Sequence, residues 1–199
     1  MNTEQAYNIW AKQYDINLNK TRDLEALVLR NTLRDISFHD CLEIGSGTGK
    51  NTVWLIEKAK HITAVDLSAE MLAKAKEKIH SNHIDFVQAD INKPWYFAKR
   101  QYDLVTFSLV LEHIYDLENI FKEVASALKK GGHVYVGELH PFKQYGGSKA
   151  RFETEDGLQV VKCFNHHISD FIIAAEKNDL KLVLLDEHFD DDNRNEIPR

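Results

Sequence analysis

Short apolar runs alternate with segments of helical periodicity along most of the 199-residue chain. Six runs are short and apolar, which is typical of buried strands: residues 41–45, 61–67, 84–90, 102–110, 132–139 and 180–189. Five segments carry the spacing of helices that pack one face on a core: residues 24–36, 53–59, 68–79, 117–130 and 169–177. For the fourth we predict an end at Gly131, because Lys129 and Lys130 suit the negative end of a helix.

This order of elements predicts an α/β fold. Nearly all-apolar strands that alternate with helices form a parallel sheet covered on both faces. Right-handed crossovers then bring the carboxyl ends of the strands to one edge, where ligands bind. We therefore predict a single domain over residues 1–199 with a doubly wound, mostly parallel, Rossmann-like sheet. Residues 1–36 would form a helical N-terminal cover, and residues 140–167 a long loop region on the substrate side.

A glycine-rich loop follows the first predicted strand, in the sequence LEIGSGTGKNT at residues 42–52. A dinucleotide fingerprint and a phosphate-binding P-loop, aligned on Gly45, both require glycine at position 50, and Lys50 stands there. Glu43 adds a carboxylate where a pyrophosphate would approach. The loop therefore favours a cationic ligand over a phosphate.

The sequence EIGSGTG at residues 43–49 resembles the first motif of the class I S-adenosylmethionine-dependent methyltransferases. Further family features follow in order: Asp66 ends the second strand 21 residues after Gly45, and Asp90 follows the third strand. The fourth strand continues into FSLVLEHI, and LKKGGHVYV contains the fifth. The resemblance covers most of the chain and is strongest to the small-molecule branch, which includes ubiquinone and menaquinone biosynthesis methyltransferases.

The resemblance implies S-adenosylmethionine as cofactor and residues 41–139 as the core that binds this methyl donor. By similarity, Asp66 would bind the ribose hydroxyls, and Asp90 with Ile91 the adenine. The backbone near Gly45 would approach the methionine part. The full predicted set is Tyr14, Glu43, Gly45, Ser46, Gly47, Gly49, Asp66, Leu67, Met71, Asp90, Ile91, Ser108 and Leu109.

The acceptor side is less defined, because methyl transfer from a sulfonium depends mainly on alignment. A base is needed only when the acceptor must lose a proton. Three residues are candidates for that role. Glu138 and His140 follow the fifth strand, and His113 lies just beyond the fourth, in positions typical of catalytic groups in open α/β sheets.

Aromatic residues in the N-terminal segment form a second candidate feature. The sequence AYNIWAKQYD supplies Tyr7, Trp10 and Tyr14. A W-A-x-x-Y-D opening resembles small-molecule members of the family, in which it covers the methyl-donor site. The same spacing also fits a helix that packs an aromatic stripe on the core, and the sequence leaves both interpretations open.

The sequence also bears on several alternative functions. A short-chain dehydrogenase needs Tyr-x-x-x-Lys on a helix; here Tyr145 and Lys149 are separated by a pair of glycines that would cost a helix about 2 kcal/mol. Cys163, His166 and His167 lack the spacing of a metal site, so no metal is predicted. A non-catalytic relative that binds S-adenosylmethionine or S-adenosylhomocysteine remains an alternative, as does a protein or RNA methyltransferase.

Composition favours a small-molecule acceptor. A net charge of −6 disfavours binding to a nucleic-acid backbone. The fourth strand is followed by Ser-Leu-Val-Leu instead of the Asp/Asn-Pro-Pro-aromatic motif of amino-methylating nucleic-acid enzymes.

The sequence has no apolar stretch of about 20 residues and no signal-peptide pattern. With only two separated cysteines, we expect a cytoplasmic protein without a membrane partner. The oligomeric state is open, and a homodimer is one option.

The C-terminal region departs from the family pattern. Family sheets have seven strands, and the seventh lies antiparallel between strands five and six. Here the sixth predicted strand ends near Phe189, and the remaining DDDNRNEIPR is too polar for a buried strand. We therefore predict that the seventh strand is absent from this chain, which would leave strand edges exposed.

Overall fold

A central sheet of five parallel strands organises the computed structural model, which describes residues 1–189. The strands are β1 (Asp40–Ile44), β2 (His61–Asp66), β3 (Ile84–Gln88), β4 (Tyr102–Ser108) and β5 (Leu128–Gly137). Their spatial order is β3-β2-β1-β4-β5, so the winding direction reverses between β1 and β4. This order confirms the predicted doubly wound α/β fold and places a ligand crevice at the carboxyl ends of β1 and β4.

Seven helices surround this sheet in the described part of the chain: α1 (Thr3–Trp10), α2 (Lys20–Thr32), α3 (Thr52–Lys58), α4 (Ala69–Lys78), α5 (Leu117–Ala127), α6 (Pro141–Tyr145) and α7 (Ile168–Glu176). Polar side chains cap several of their amino ends, as when the Ser68 hydroxyl accepts from the Met71 N–H at 3.1 Å. None of these helices has the length and apolar character needed to cross a membrane.

Alternate residues of the strands pack on opposite faces of the sheet. Leu42 and Ile44 belong to a core layer that includes side chains of α5 and α7. Cys41 belongs to the other layer, with Leu29 of α2 and Leu55 of α3. Because successive strand residues point to opposite faces, a continuous apolar run is buried on both sides.

The predicted end of the helix that begins at Leu117 was wrong. The helix stops at Ala127, and residues 128–130 already belong to β5. The Lys129 ammonium lies 2.7 Å from the Asp40 carboxylate and 3.0 Å from that of Asp103, near the starts of β1 and β4. These ion pairs hold Lys129 at the sheet edge instead of the helix end. The pairing with β4 is irregular there, and Gly131 has a φ of +80°.

The predicted sixth strand was also wrong. Residues 181–189 form no strand, and Leu182, Val183, Leu184 and Leu185 are between 48% and 83% exposed. Within residues 1–189, β5 pairs only with β4, and residues 181–189 do not lie beside it or beside any other strand. An apolar run becomes a strand only where a neighbour completes its hydrogen bonds. The tail at 190–199 lies outside the described residues.

The expected N-terminal cover and the region 140–167 pack against each other. The second region contains α6 and a hairpin of β6 (Arg151–Thr154) and β7 (Gly157–Val160). The Trp10 ring of α1 stacks on Phe152 of β6, with ring centroids 5.0 Å apart and an interplanar angle of 13°. The aromatic residues of the N-terminal segment therefore divide into two groups: Trp10 is buried against the hairpin, whereas Tyr7 and Tyr14 face a cavity.

Candidate active site

A cavity of about 330 Å³ lies at the carboxyl edge of the sheet, which is where the topology places a ligand crevice. Most of the predicted methyl-donor residues line it: Tyr14, Gly45, Gly47, Asp66, Leu67, Met71, Asp90, Ile91, Ser108 and Leu109. Of the three predicted catalytic residues, only His113 lines it. A second cavity, of about 670 Å³, lies near the amino ends of β3 and β4 and contains none of these residues.

The glycine loop is tied to the end of β2 by its backbone. The N–H groups of Gly45 and Ser46 donate to the Val65 carbonyl at 2.8 and 3.0 Å. The Gly47 N–H donates to Oδ2 of Asp66 at 2.8 Å. Gly45 and Gly47 have φ values of +72° and +54°, a region that side chains disfavour. The loop therefore curves around the cavity with its backbone close to the ligand space.

Asp66, at the end of β2, and Asp90, just after β3, line the cavity. Asp66 accepts from the Gly47 N–H through one oxygen and from the Ser68 N–H through the other, at 2.8 Å each. Burial raises the pKa of Asp66, against the opposing effect of these backbone donors. Asp90 accepts from the backbone and side chain of Asn92, both at 2.9 Å. A carboxylate oxygen has two lone pairs, so both aspartates can accept further hydrogen bonds from a ligand.

Glu43, Ser46 and Gly49 do not line the cavity. Glu43 is 4% exposed, and its Oε2 accepts from the Thr52 hydroxyl at 2.6 Å. Burial raises the pKa of Glu43 to about 8. The carboxylate that suggested a cationic ligand therefore holds the start of α3. The negative groups on the cavity wall are instead Asp66, Asp90 and Glu4.

His113 forms a hydrogen-bonded pair with Tyr7 at the cavity wall. Its Nδ1 lies 2.9 Å from the Lys162 carbonyl, which can only accept, so Nδ1 carries the proton. In the neutral ring, Nε2 then accepts from the Tyr7 hydroxyl at 2.8 Å. Burial, followed by the neighbouring Tyr14 and Glu112, raises the pKa of Tyr7. The sequence identified both residues separately but contained no signal that pairs them.

A small polar cluster lies beside this pair. Glu112 Oε1 is 3.8 Å from His113 Nε2, and Cys163 Sγ is 3.8 Å from His113 Nδ1. Burial, and then the Glu112 carboxylate, raise the pKa of the Cys163 thiol to about 12. These three side chains are close enough together for metal ligands. However, both ring nitrogens of His113 already make hydrogen bonds, to the Lys162 carbonyl and the Tyr7 hydroxyl.

Glu138 and His140 have positions that differ from the expected catalytic ones. Glu138 Oε1 accepts from the N–H groups of Val110 and Leu111 at 2.9 and 2.7 Å, and burial raises its pKa to about 8. His140 Nδ1 accepts from the Phe142 N–H at 3.1 Å, and Nε2 lies 2.7 Å from Glu187. Neither lines the cavity. Glu138 holds the segment after β4, and His140 caps α6.

The start of α1 contributes cavity residues that the sequence did not suggest. Asn2, Thr3 and Glu4 line the cavity, as do Asn92 and Val110. The Gln88 amide donates to the Glu4 carboxylate at 3.3 Å, which ties α1 to the end of β3. Thr3 and Glu4 precede Tyr7 by four and three residues, and this spacing was a usable signal because it places them on the same face of α1.

Comparison with known proteins finds methyltransferases, both in the family match and among the relatives. Residues 42–136 match the family described as a methyltransferase domain. A malonyl-(acyl-carrier protein) O-methyltransferase from Priestia megaterium is 32% identical over 134 residues, which are 65% of this chain and 48% of the relative. A ubiquinone biosynthesis O-methyltransferase from Pectobacterium atrosepticum is 27% identical over 139 residues, 68% of this chain and 56% of the relative.

A solved structure, the DhpI–SAM–HEP complex, is 28% identical to this chain and has a TM-score of 0.70. The match covers 87% of this chain and 85% of that one. In contrast, the chain matches between 23% and 60% of the length of each of the first curated relatives. The family match at residues 42–136 includes the glycine loop and most of the residues that line the cavity.

Substitution of the loop glycines should separate backbone strain from steric overlap. A Cβ at Gly45 would overlap Val110 Cγ2, whereas a Cβ at Gly47 would meet nothing within 4 Å. Both residues have positive φ, so both alanine variants are strained by about 1–2 kcal/mol. We expect Gly45→Ala to lose about 1–3 kcal/mol more unfolding free energy than Gly47→Ala in urea titrations. Equal losses would mean that Val110 does not restrict the loop.

Glu43 should make stability depend on pH. Its pKa rises from 4.5 unfolded to about 8 folded, so the folded state holds the proton more tightly. Its contribution is therefore complete below pH 4.5 and is lost as the pH rises through about 8. In Glu43→Gln, the unfolding free energy should fall about 2–4 kcal/mol less between pH 5 and 8 than in the wild type. Glu57→Gln, an exposed change on α3, is the control; an unchanged pH slope in Glu43→Gln would contradict the assignment.

Proposed function

Because this chain belongs to the class I S-adenosylmethionine-dependent methyltransferases, we propose that it transfers a methyl group from S-adenosylmethionine to a small-molecule acceptor. The observation that carries the proposal is one cavity that brings together the glycine loop, Asp66, Asp90 and the Tyr7–His113 pair. One relative is named for malonyl-(acyl-carrier protein) and another for ubiquinone biosynthesis, so the acceptor is proposed only as a class.

The groups on the cavity wall suit this methyl donor. Asp66 has lone pairs left for the ribose hydroxyls, and Asp90 and Ile91, which also line the cavity, are the residues that we assign to the adenine. Within residues 1–189, the charged side chains that line the cavity are acidic, with His113 as the only titratable base. An acidic wall raises the local concentration of cations and suits a ligand with a sulfonium and an ammonium. When bound, the donor supplies a methyl group that the sulfonium has already activated.

The protein has to align the acceptor with that methyl group and exclude water. Tyr7 and Tyr14 cover the cavity from the N-terminal segment, and the stack of Trp10 on Phe152 holds α1 in place. Asn8 adds a tie, since its side-chain oxygen accepts from the Ser68 hydroxyl at 2.6 Å. The N-terminal cover therefore closes the site through several independent contacts.

The Tyr7–His113 pair can remove a proton from the acceptor. In the neutral ring, His113 Nε2 accepts from the Tyr7 hydroxyl, and Tyr7 borders the cavity. An acceptor hydroxyl or ammonium can pass its proton to the Tyr7 oxygen while Tyr7 passes its own proton to Nε2. The Glu112 carboxylate, 3.8 Å from Nε2, would stabilise the imidazolium that forms. The pair therefore favours an acceptor that carries an O–H or N–H proton.

Ligand binding tests the proposal first. S-adenosylhomocysteine at 100 times its Kd should stabilise the fold by about 2.7 kcal/mol, whereas NAD should give no shift. Asp66→Asn should reduce this shift, because it removes a charge from the cavity wall. Asp156→Asn makes the same chemical change at an exposed residue outside the cavity and is the control. A melting-temperature shift with NAD alone would refute the proposal, and binding without turnover over a broad acceptor panel would indicate a non-catalytic relative.

Turnover of an acceptor from that panel tests the proton-transfer pair. Tyr7→Phe should lower kcat by about 10²–10⁴-fold, with little change in S-adenosylhomocysteine affinity. His113→Gln should give a similar loss, because it removes the nitrogen that accepts the Tyr7 proton. Because the two side chains act as a unit, the double variant should be no slower than either single variant. Tyr115→Phe is the control, since Tyr115 is 78% exposed. Additive losses would mean that the two residues act separately.

A further inference from the structure

The second cavity, of about 670 Å³, shares no lining residue with the cavity at the glycine loop. It lies between the end of α4, the strand β3 and the segment that leads into β4, and we call it the β3 cavity. Its volume is in the range of pockets that hold small molecules. The residues that line it are Thr63, Lys76, Ile79, His80, Ser81, Ile84, Asp85, Phe86, Val87, Phe97, Lys99, Arg100 and Tyr102.

The charged side chains of the β3 cavity are mostly basic, in a chain whose net charge is −6. Lys76, Lys99 and Arg100 line it, and Asp85 is the one acid among the lining residues in the described part of the chain. The cavity at the glycine loop has the opposite character, because Asp66 and Asp90 line it. A cavity lined by one sign of charge attracts ligands of the other sign, so the β3 cavity favours an anion.

Two of these cations have no acidic partner within residues 1–189. Lys78 on the same helix is paired with Asp15 at 2.7 Å, whereas Lys76 makes no ion pair. Lys99, in the segment before β4, makes none either. Both ammonium groups are therefore available to a ligand.

The third cation and the one acid already have neighbours. Arg100 Nη1 lies 3.3 Å from Asp40, but the same carboxylate lies 2.7 Å from Lys129, so Asp40 divides its charge between two cations. Asp85 lies 3.2 Å from Nε2 of His61. The charge that the cavity presents to a ligand is therefore positive on balance.

An aromatic wall accompanies these cations. The rings of Phe86, Phe97 and Tyr102 line the cavity, and such rings pack well against a flat apolar group. The Tyr102 hydroxyl donates to the Thr63 hydroxyl oxygen at 3.0 Å. Thr63 keeps its own O–H proton as a donor, since a hydroxyl can accept and donate at the same time.

The free edge of β3 adds backbone donors. β3 is the last strand of the central sheet and pairs only with β2 in the part of the chain that the structure describes. Residues 84–87 are consecutive and all line the cavity. Successive side chains of a strand point to opposite faces, so a cavity that touches four in a row meets the strand from its edge. The N–H groups on such an edge can donate to an anion.

We propose that the β3 cavity binds an organic anion with a flat aromatic body, such as an aromatic carboxylate or sulfonate. Lys76, Lys99 and Arg100 would bind the anionic group, and Phe86 and Phe97 would contact the body. Charge-assisted hydrogen bonds to the anion are strong because both partners carry a charge. The site goes beyond the proposed methyl transfer, since it uses none of the residues assigned to the donor or to proton transfer.

Fluorescence titration with two dyes tests the proposal. Anilinonaphthalene sulfonate is an aromatic anion, and N-phenylnaphthylamine has the same ring system without the sulfonate. The wild type should prefer the anionic dye by about tenfold to a hundredfold. The double variant Lys76→Gln, Lys99→Gln should lose most of this preference. The double variant Lys122→Gln, Lys181→Gln removes the same net charge at exposed residues outside both cavities and should keep the full preference.

A third variant separates the two parts of the site. Phe97→Ala should weaken both dyes by a similar factor and leave the preference for the anion intact. Because Lys76 and Lys99 are exposed, their substitution should not change the melting temperature, and a changed preference can then be attributed to the site.

Several results would overturn the proposal. Equal affinity of the wild type for the two dyes would do so, as would a full preference in the variant that lacks Lys76 and Lys99. Displacement of the anionic dye by S-adenosylhomocysteine would place the dye in the cavity at the glycine loop. If the wild type binds neither dye but binds an acidic peptide of alternating glutamate and valine, the edge of β3 pairs with a strand instead of a small molecule. A failure to bind S-adenosylhomocysteine, in contrast, counts only against the proposed function.

Discussion

The hydrogen bonds between the glycine loop and the end of β2 hold the candidate site together. Gly45, Ser46 and Gly47 direct three consecutive N–H groups toward Val65 and Asp66. Those bonds place the loop against the neighbouring strand and position the Asp66 carboxylate at the cavity wall. The loop can follow this path because its glycines adopt positive φ, which other residues adopt only with strain. The cavity, the start of α3 and the approach to Asp66 all depend on this turn.

Buried carboxylates brace the elements around that turn. Glu43 accepts from Thr52, and Glu138 accepts from the backbone after β4. Glu25 of α2 accepts from Asn51 at 3.0 Å and from the Tyr135 hydroxyl at 3.2 Å, linking α2 to the segments around it. Hydrogen bonds offset part of the cost of burying each group, while burial raises the pKa of all three. The acidic residues near this site therefore include side chains that hold neighbouring elements together as well as side chains that face the cavity.

The predictions that agree with the structure are those that depend on residues close together in the sequence. Asp66 and Asp90 could be placed because each follows a recognisable strand, and the ends of parallel strands meet at one edge. Glu138 follows a strand as well, but its carboxylate turns toward backbone N–H groups that no pattern reveals. Tyr7 and His113 are 106 positions apart, so only the folded chain shows that they form a hydrogen bond.

The sequence by itself determined the alternation of strands and helices, the winding of the sheet and the turn that approaches a ligand. These features depend on hydrophobic periodicity and on the backbone freedom of glycine, which act over a few residues. Only the tertiary structure decided that residues 181–189 form no strand, that Glu43 and His140 bind neighbouring elements, and that Tyr7 meets His113. Strand pairing, burial and side-chain direction depend on neighbours distant in the chain, and a local pattern does not contain them.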